Sequence, residues 1–182
     1  MRNRIISLTA AAFGAMLAVI GGIALAAQDK YAVKVPGGLV LSECRGYETW
    51  QTVGVAQSED RLDLILANPA AIKAFLSGVP SNGRKFPDGS RIAKILWSPK
   101  QDTSAPFPVR VPDTFMGLGC MVKDNKRFES TNGWGFAQFD YDAAKDTFAP
   151  NTALQGNDAR CGYACHYGAF TKDFIYTDYR KR

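Results

Sequence analysis

Near the C-terminus, two cysteines and the only histidine of the chain fall within six residues, Cys161-Gly162-Tyr163-Ala164-Cys165-His166. The usual attachment motif for haem c is C-x-x-C-H, in which two thiols add to the haem vinyl groups and the histidine binds the iron. Here three residues separate the cysteines, and Gly162 could supply a bulge that lets the longer segment span the vinyl groups. The pattern predicts one covalently bound haem c, with Cys161 and Cys165 as attachment residues and His166 as iron ligand.

A local disulfide, or two unreactive thiols with His166 at the surface, is the alternative interpretation of the same six residues. Zinc is disfavoured because a zinc site needs four ligands and the chain has no second histidine. If His166 binds one side of the iron, no other histidine is left to bind the opposite side, the sixth position. Met116 and Met121 are the candidate sulfur ligands, but methionine in an apolar strand is more often a core residue. We therefore expect an open distal side.

The N-terminal segment is typical of a secretory signal peptide. Two arginines precede an uncharged apolar run from Ile5 to Ala27, and Ala24-Leu25-Ala26 is a small-x-small cleavage site. We expect residues 1–26 to be removed and residues 27–182 to form a single domain in the periplasm, where disulfides can form. The run is also long enough for a membrane helix, so an uncleaved anchor is the alternative.

Composition narrows the class of protein further. Hydrophobic residues make up 46% and charged residues 21% of the 182, which excludes a disordered or collagen-like chain. The formal charge is +5, and the lysines and arginines are scattered, so we expect no nucleic-acid partner. Cys44 and Cys120 form either a disulfide or two buried thiols.

Short runs of β-forming residues separated by turn signals dominate the rest of the chain. Asn68 and Pro69 predict the start of one short helix, which ends at Gly78. These patterns predict an α+β fold, mainly an antiparallel sheet with a few short helices. The expected strands are residues 49–56, 61–67, 91–97, 115–122 and 134–141, with an N-terminal arm over 27–41, a loop over 98–108 and short helical pieces over 158–179.

Several motifs occur in a fixed order along this chain: Phe86-Pro87-Asp88-Gly89-Ser90 followed by Lys94, then Val122-Lys123-Asp124 with Arg127-Phe128, then Gly133-Trp134, then the cysteine–histidine segment. Over about residues 42–179 the chain resembles the cytochrome P-460 family and its superfamily, which includes cytochrome c′-beta. The resemblance implies a periplasmic, largely antiparallel β protein with one haem c per subunit, often a homodimer.

The resemblance also implies that Lys94 is bonded through its side-chain nitrogen to a meso carbon of the porphyrin. The residues give modest independent support, because Lys94 shares a strand face with Ile92 and Leu96. An unpaired ammonium among apolar groups is costly, and a neutral amine or a covalent bond relieves that cost. The alternative is an edge-strand lysine whose ammonium reaches water.

The chain departs from the family where hydroxylamine-oxidising members carry a distal carboxylate. The matching position is near Gly119, and no acidic residue lies between Asp113 and Asp124. A carboxylate there would accept protons when N–H bonds are oxidised. Substitutes from elsewhere in the chain are Glu129, Asp140 and Asp142.

Three functions remain open from the sequence. One is a haem oxidoreductase that oxidises hydroxylamine or a related small nitrogen compound and passes electrons to a redox partner protein. A second is a cytochrome c′-beta-like protein that binds NO or CO, with Phe115, Phe136 and Phe139 as candidates to line an apolar distal pocket. The third is a simple electron-transfer cytochrome with an occupied sixth position.

Overall fold

The computed structural model describes residues 29–36, 38–151 and 160–179, so the predicted signal peptide lies outside the described residues. One antiparallel sheet of six strands, in the order of the sequence, forms the centre of the molecule. This confirms the predicted α+β class. The strands are β1 (Gln51–Gln57), β2 (Leu62–Ala67), β3 (Arg91–Asp102), β4 (Val109–Lys123), β5 (Trp134–Asp142) and β6 (Thr147–Pro150).

In the described part of the chain, two short α-helices and four 3₁₀ turns accompany the sheet. Along the described part of the chain, no helix is long and apolar enough to cross a bilayer. The helices are α1 (Pro69–Leu76) and α2 (Arg160–His166), and the 3₁₀ turns are Leu41–Cys44, Tyr47–Thr49, Glu129–Thr131 and Tyr167–Lys172.

Helix α1 begins as the sequence predicts. The Asn68 side chain accepts a hydrogen bond from the Ala71 backbone N–H at 3.0 Å, and Pro69 occupies the first turn, where a missing N–H costs nothing. Gly78 lies just beyond the helix with φ +89°, a conformation that glycine adopts without strain.

Alternation along each strand divides the sheet into two faces, and each face has its own core. Against one face packs the N-terminal arm, whose Leu39 and Leu41 are fully buried where the arm was expected to enter the fold. Cys44, at the end of the 3₁₀ turn that follows this arm, forms a disulfide with Cys120 of the central strand β4. The sequence left open whether these two cysteines form a disulfide or remain two buried thiols, and the structure has the disulfide.

The second face is covered by α1 and by the C-terminal segment. Phe75 of α1 contacts Phe86 edge to face at 4.9 Å, and Phe86 contacts Trp134 at 5.8 Å. Phe174, from the segment that follows α2, completes this core. This second face carries the site described below.

The predicted loop over residues 98–108 was wrong at its start and right at its end. β3 continues to Asp102 and β4 begins at Val109, so only the residues between them form the connection. Beyond Trp97, the pairing of these two strands within the described residues is only with each other, so they form a two-stranded ribbon there. Proline is tolerated in edge strands and at bulges, which explains why Pro99 does not end the strand.

Candidate functional site

A cavity of about 460 Å³ lies between the second face of the sheet and helix α2. Its volume is within the range of ligand and cofactor pockets. Its sheet wall is lined by Ala56, Arg61, Asp63, Ile65, Ile92, Lys94, Gly119, Cys120, Met121, Phe136, Ala137 and Gln138, and its other wall by Gly162, Cys165, His166, Ile175, Tyr176 and Thr177.

Strand register explains which sheet residues meet at the cavity. Ile65, Lys94, Gly119 and Gln138 are paired in succession, so they form one row across strands β2 to β5. A second row, two residues away along each strand, contains Ile92, Met121 and Phe136 on the same face. The wall is therefore mostly apolar, with Lys94 and its neighbours as the polar part.

Lys94 lies on the cavity wall, as the resemblance requires, but its ammonium is paired. Nζ lies 3.4 Å from the Asp63 carboxylate, and 35% of the Lys94 side chain is exposed. The expectation of an unpaired ammonium among apolar groups was therefore wrong. The strand pairing placed an acid of β2 diagonally beside Lys94, and such a partner cannot be recognised before the register is known.

Asp63 is the charged cavity residue that the sequence analysis missed. It is the one acidic residue among the described residues that line the cavity, and its side chain is 8% exposed. Arg61 Nε lies 2.8 Å from one carboxylate oxygen, so two cationic side chains flank a single buried carboxylate. The available signal was the position of Asp63 on the strand face opposite to Leu62, Leu64 and Leu66.

The expected substitutes for a carboxylate at Gly119 do not reach the cavity. Glu129, Asp140 and Asp142 are absent from the described lining residues. Asp140 instead accepts hydrogen bonds from the Asn151 side chain, and Asp142 pairs with Lys145.

His166 lies at the end of α2, on the wall opposite the sheet rows. Its Nδ1 is 2.7 Å from the carbonyl oxygen of Phe174. Because a carbonyl only accepts, Nδ1 donates its proton there and Nε2 keeps a lone pair for a metal. Burial lowers the pKa of His166, the Phe174 carbonyl opposes this, and the charge of Lys94 lowers it further. The neutral ring is the form that binds iron.

The two cysteines predicted to attach haem lie four positions apart on α2, which is about one helical turn. The Cys165 thiol is exposed and lines the cavity. The segment is helical rather than bulged, so the role expected for Gly162 was wrong. A Cβ at Gly162 would lie 2.3 Å from the Cβ of Phe136, and glycine therefore lets α2 pack closely against β5.

Only one of the three candidate distal phenylalanines lines the cavity. Phe136 does so, and its ring contacts the His166 ring at a centroid distance of 5.1 Å. Phe139 has the opposite parity on β5 and lies in the first core, and Phe115 packs against that core. A distal pocket built from all three was therefore a wrong expectation.

Of the two methionines considered as sulfur ligands, Met121 lines the cavity, whereas Met116 is exposed elsewhere.

The fold and the site are those of a haem-binding protein. A flat, iron-containing macrocycle would need a neutral imidazole whose Nε2 keeps its lone pair, a cysteine beside it, and a mostly apolar wall. The cavity provides all three, and Gly119 in the middle of one row leaves space at that wall, so these residues fit haem. No cluster of three metal-binding side chains occurs among the described residues.

Comparison with protein families assigns this class to a family. The family model Cytochrome P-460 matches residues 44–177, and the chain belongs to that family. Membership makes it a haem cytochrome of the c type, with haem c and iron as its cofactor. No curated protein matched the chain.

Proposed function

We propose that the chain acts in the periplasm with one haem c, joined to Cys161 and Cys165 and ligated by His166, and that it oxidises hydroxylamine or a related small nitrogen compound at an open iron position. The observation that carries the proposal is that His166 and Lys94 line opposite walls of one cavity, which also holds a buried carboxylate. We include in the proposal the homodimer that the resemblance implies, which light scattering would test.

His166 supplies the proximal nitrogen. The hydrogen bond from Nδ1 to Phe174 fixes the tautomer, so Nε2 is the atom that binds iron. When bound, the haem supplies a redox-active iron that takes electrons from the nitrogen compound. Those electrons leave to an external redox partner protein, and an equal number of protons must be accepted by the protein or by water.

Lys94 is the residue we propose to be cross-linked to the porphyrin. Forming the bond replaces one N–H and one C–H bond by an N–C bond and releases two electrons and two protons. An oxidant of the peroxide class would take them up and be reduced to water. The amine must first lose its ammonium proton, and Asp63 at 3.4 Å is placed to accept it.

Asp63 is also the residue we propose as proton acceptor during oxidation of the substrate. Gly119 stands at the position where hydroxylamine-oxidising members of the family carry a carboxylate. Asp63 lies on the same sheet face, one strand beyond Lys94. Once the Lys94 nitrogen is bonded to carbon and neutral, Arg61 is the remaining cationic partner of Asp63 among the described residues. Its oxygen is then available to accept a proton.

The test uses full-length protein exported by cells that attach haem c normally. We expect intact mass to show one haem, optical spectra to differ from those of ordinary haem c, and hydroxylamine to reduce an added electron acceptor. Lys94→Ala should restore an ordinary haem c spectrum. A colourless wild-type protein would refute haem binding, and a coloured protein that hydroxylamine never reduces would refute the oxidase activity.

The apolar character of the wall favours a second candidate function, binding of NO or CO without turnover. Ile65, Ile92 and Met121 are apolar residues of the sheet wall and offer no proton acceptor. Tight CO binding by the ferrous protein, together with no reduction by hydroxylamine, would support this function. Weak CO binding would instead indicate an occupied sixth position.

A further inference from the structure

A buried ion pair lies behind the segment that holds His166. Lys123, at the end of β4, contacts both carboxylate oxygens of Asp173 at 3.0 and 3.2 Å. The two side chains are 0% and 2% exposed. Burying two charges is costly, and a well-packed apolar pair often serves stability as well or better. The fold alone therefore does not account for this pair.

Both members of the pair have further partners, so their positions are fixed from several directions. Lys123 Nζ donates to the Asn132 carbonyl at 2.9 Å and lies 5.0 Å from the centre of the Trp134 ring. Asp173 accepts from the backbone N–H of Phe86 at 2.8 Å. The C-terminal segment is thus attached to the sheet at Asp173.

The backbone at Asp173 is unusual in a way that matters for His166. Asp173 and Phe174 have φ values of +49° and +66°, a left-handed conformation that two successive non-glycine residues rarely adopt. Such a conformation persists only where the surroundings hold it. This left-handed turn comes soon after α2 and brings the Phe174 carbonyl oxygen to His166 Nδ1. The Phe174 N–H donates to the Ala169 carbonyl oxygen at 2.9 Å.

We propose that Lys123 and Asp173 are positioning residues for His166. The pair holds the left-handed turn, the turn fixes the Phe174 carbonyl, and the carbonyl sets the orientation and electron donation of the imidazole. The part that concerns iron rests on the proposed function, because it requires His166 to be the axial ligand. The hydrogen bond itself does not depend on haem.

The single histidine makes a selective test possible. Full-length protein is labelled with ¹⁵N-histidine, reduced and saturated with CO, and exchange of the Nδ1 proton with water is followed by NMR. The iron–histidine stretch of the ferrous protein is measured by resonance Raman. For Asp173→Asn we expect faster proton exchange and a stretch at lower frequency, whereas Lys123→Arg keeps both near wild type.

Two further variants keep the test decisive. Lys123→Met/Asp173→Asn removes both charges together, so no unpaired charge is buried, and it should show the same two changes if Asp173→Asn does not fold. Lys172→Met breaks the neighbouring exposed pair with Asp178, at 2.9 Å, and should change neither readout. Unchanged exchange in a folded variant that lacks the pair overturns the proposal. A colourless protein whose Nδ1 proton is still protected from exchange would refute the proposed haem binding but not the positioning of His166 by Lys123 and Asp173.

Discussion

Gly119 lies directly opposite Lys94 in the β3–β4 pairing, and the Lys94 side chain passes across it. A Cβ at Gly119 would lie 3.4 Å from Lys94 Cβ and 3.5 Å from Lys94 Cε. The glycine therefore gives the lysine its path along the sheet wall. A larger side chain at this position would compete with Lys94 for the same space.

The first prediction follows from this contact. Gly119→Val adds methyl groups beyond the Cβ, so we expect Lys94 to be displaced and the cross-link to be lost from most molecules, with haem still attached. Gly119→Ala is the matched control, because its Cβ makes an ordinary contact and should preserve the cross-link. Intact mass and optical spectra measure both. A fully cross-linked Gly119→Val protein would contradict this use of the glycine.

A second prediction concerns the missed carboxylate. Asp63→Asn keeps the shape of the side chain but removes its ability to accept a proton, so we expect hydroxylamine-dependent electron transfer to fall by about 10²–10⁴-fold. Asp60→Asn changes an exposed acid in the turn just before β2, which accepts a hydrogen bond from Ser58, and should leave the rate near wild type. Equal rates for wild type and Asp63→Asn would remove Asp63 from the mechanism.

Asp63 also shows what could be predicted from the sequence and what could not. Alternation and turn signals predicted five of the strands, the start of α1 and the antiparallel class, because these depend on neighbouring residues. The contact between Asp63 and Lys94 depends on how β2 pairs with β3, and register is set by the whole sheet. The edge strand β6 was missed because its four residues, with only Phe148 buried, carry little pattern.

Sequence motifs located His166 and the cysteines, but not their surroundings. The six-residue motif predicted the iron ligand because adjacent thiols and imidazole are rare in a chain with one histidine. The Phe174 carbonyl that fixes the ring depends on left-handed backbone at two non-glycine residues, which local propensity disfavours. Such conformations are held by distant contacts, here with Lys123, and a local pattern does not contain them.

The third prediction tests the open iron position. Met121 lines the cavity and also belongs to the second core, so we assign it a packing role. Met121→Leu conserves volume and should leave the spectra of the oxidised and reduced protein unchanged, with CO still binding the reduced form. A spectrum that changes from six- to five-coordinate iron in this variant would make Met121 a ligand and favour simple electron transfer.

A fourth prediction concerns the seating of α2. Because a Cβ at Gly162 would lie 2.3 Å from Phe136 Cβ, Gly162→Ala should push α2 away from β5 and with it His166. We expect less haem per protein chain and an altered iron–histidine stretch. Ala164→Gly is a control on the exposed side of the same helix, where the change costs about 1 kcal/mol of helix propensity without a clash. Full haem content in Gly162→Ala would show that the close packing is not needed.

The last prediction separates stability from the site. The disulfide between Cys44 and Cys120 joins residues 76 positions apart, so its loss should lower the free energy of unfolding by about 4 kcal/mol through the entropy of the unfolded chain. Cys44→Ser is the informative variant: both cysteines lie in the core beneath the N-terminal arm, but of the two only Cys120 is among the described residues that line the cavity. Guanidinium unfolding measures the loss, and reduced wild type should show a similar one. The spectrum of the folded variant should match wild type, because the disulfide lies on the sheet face opposite Lys94. A changed spectrum would mean that the N-terminal arm also shapes the haem site.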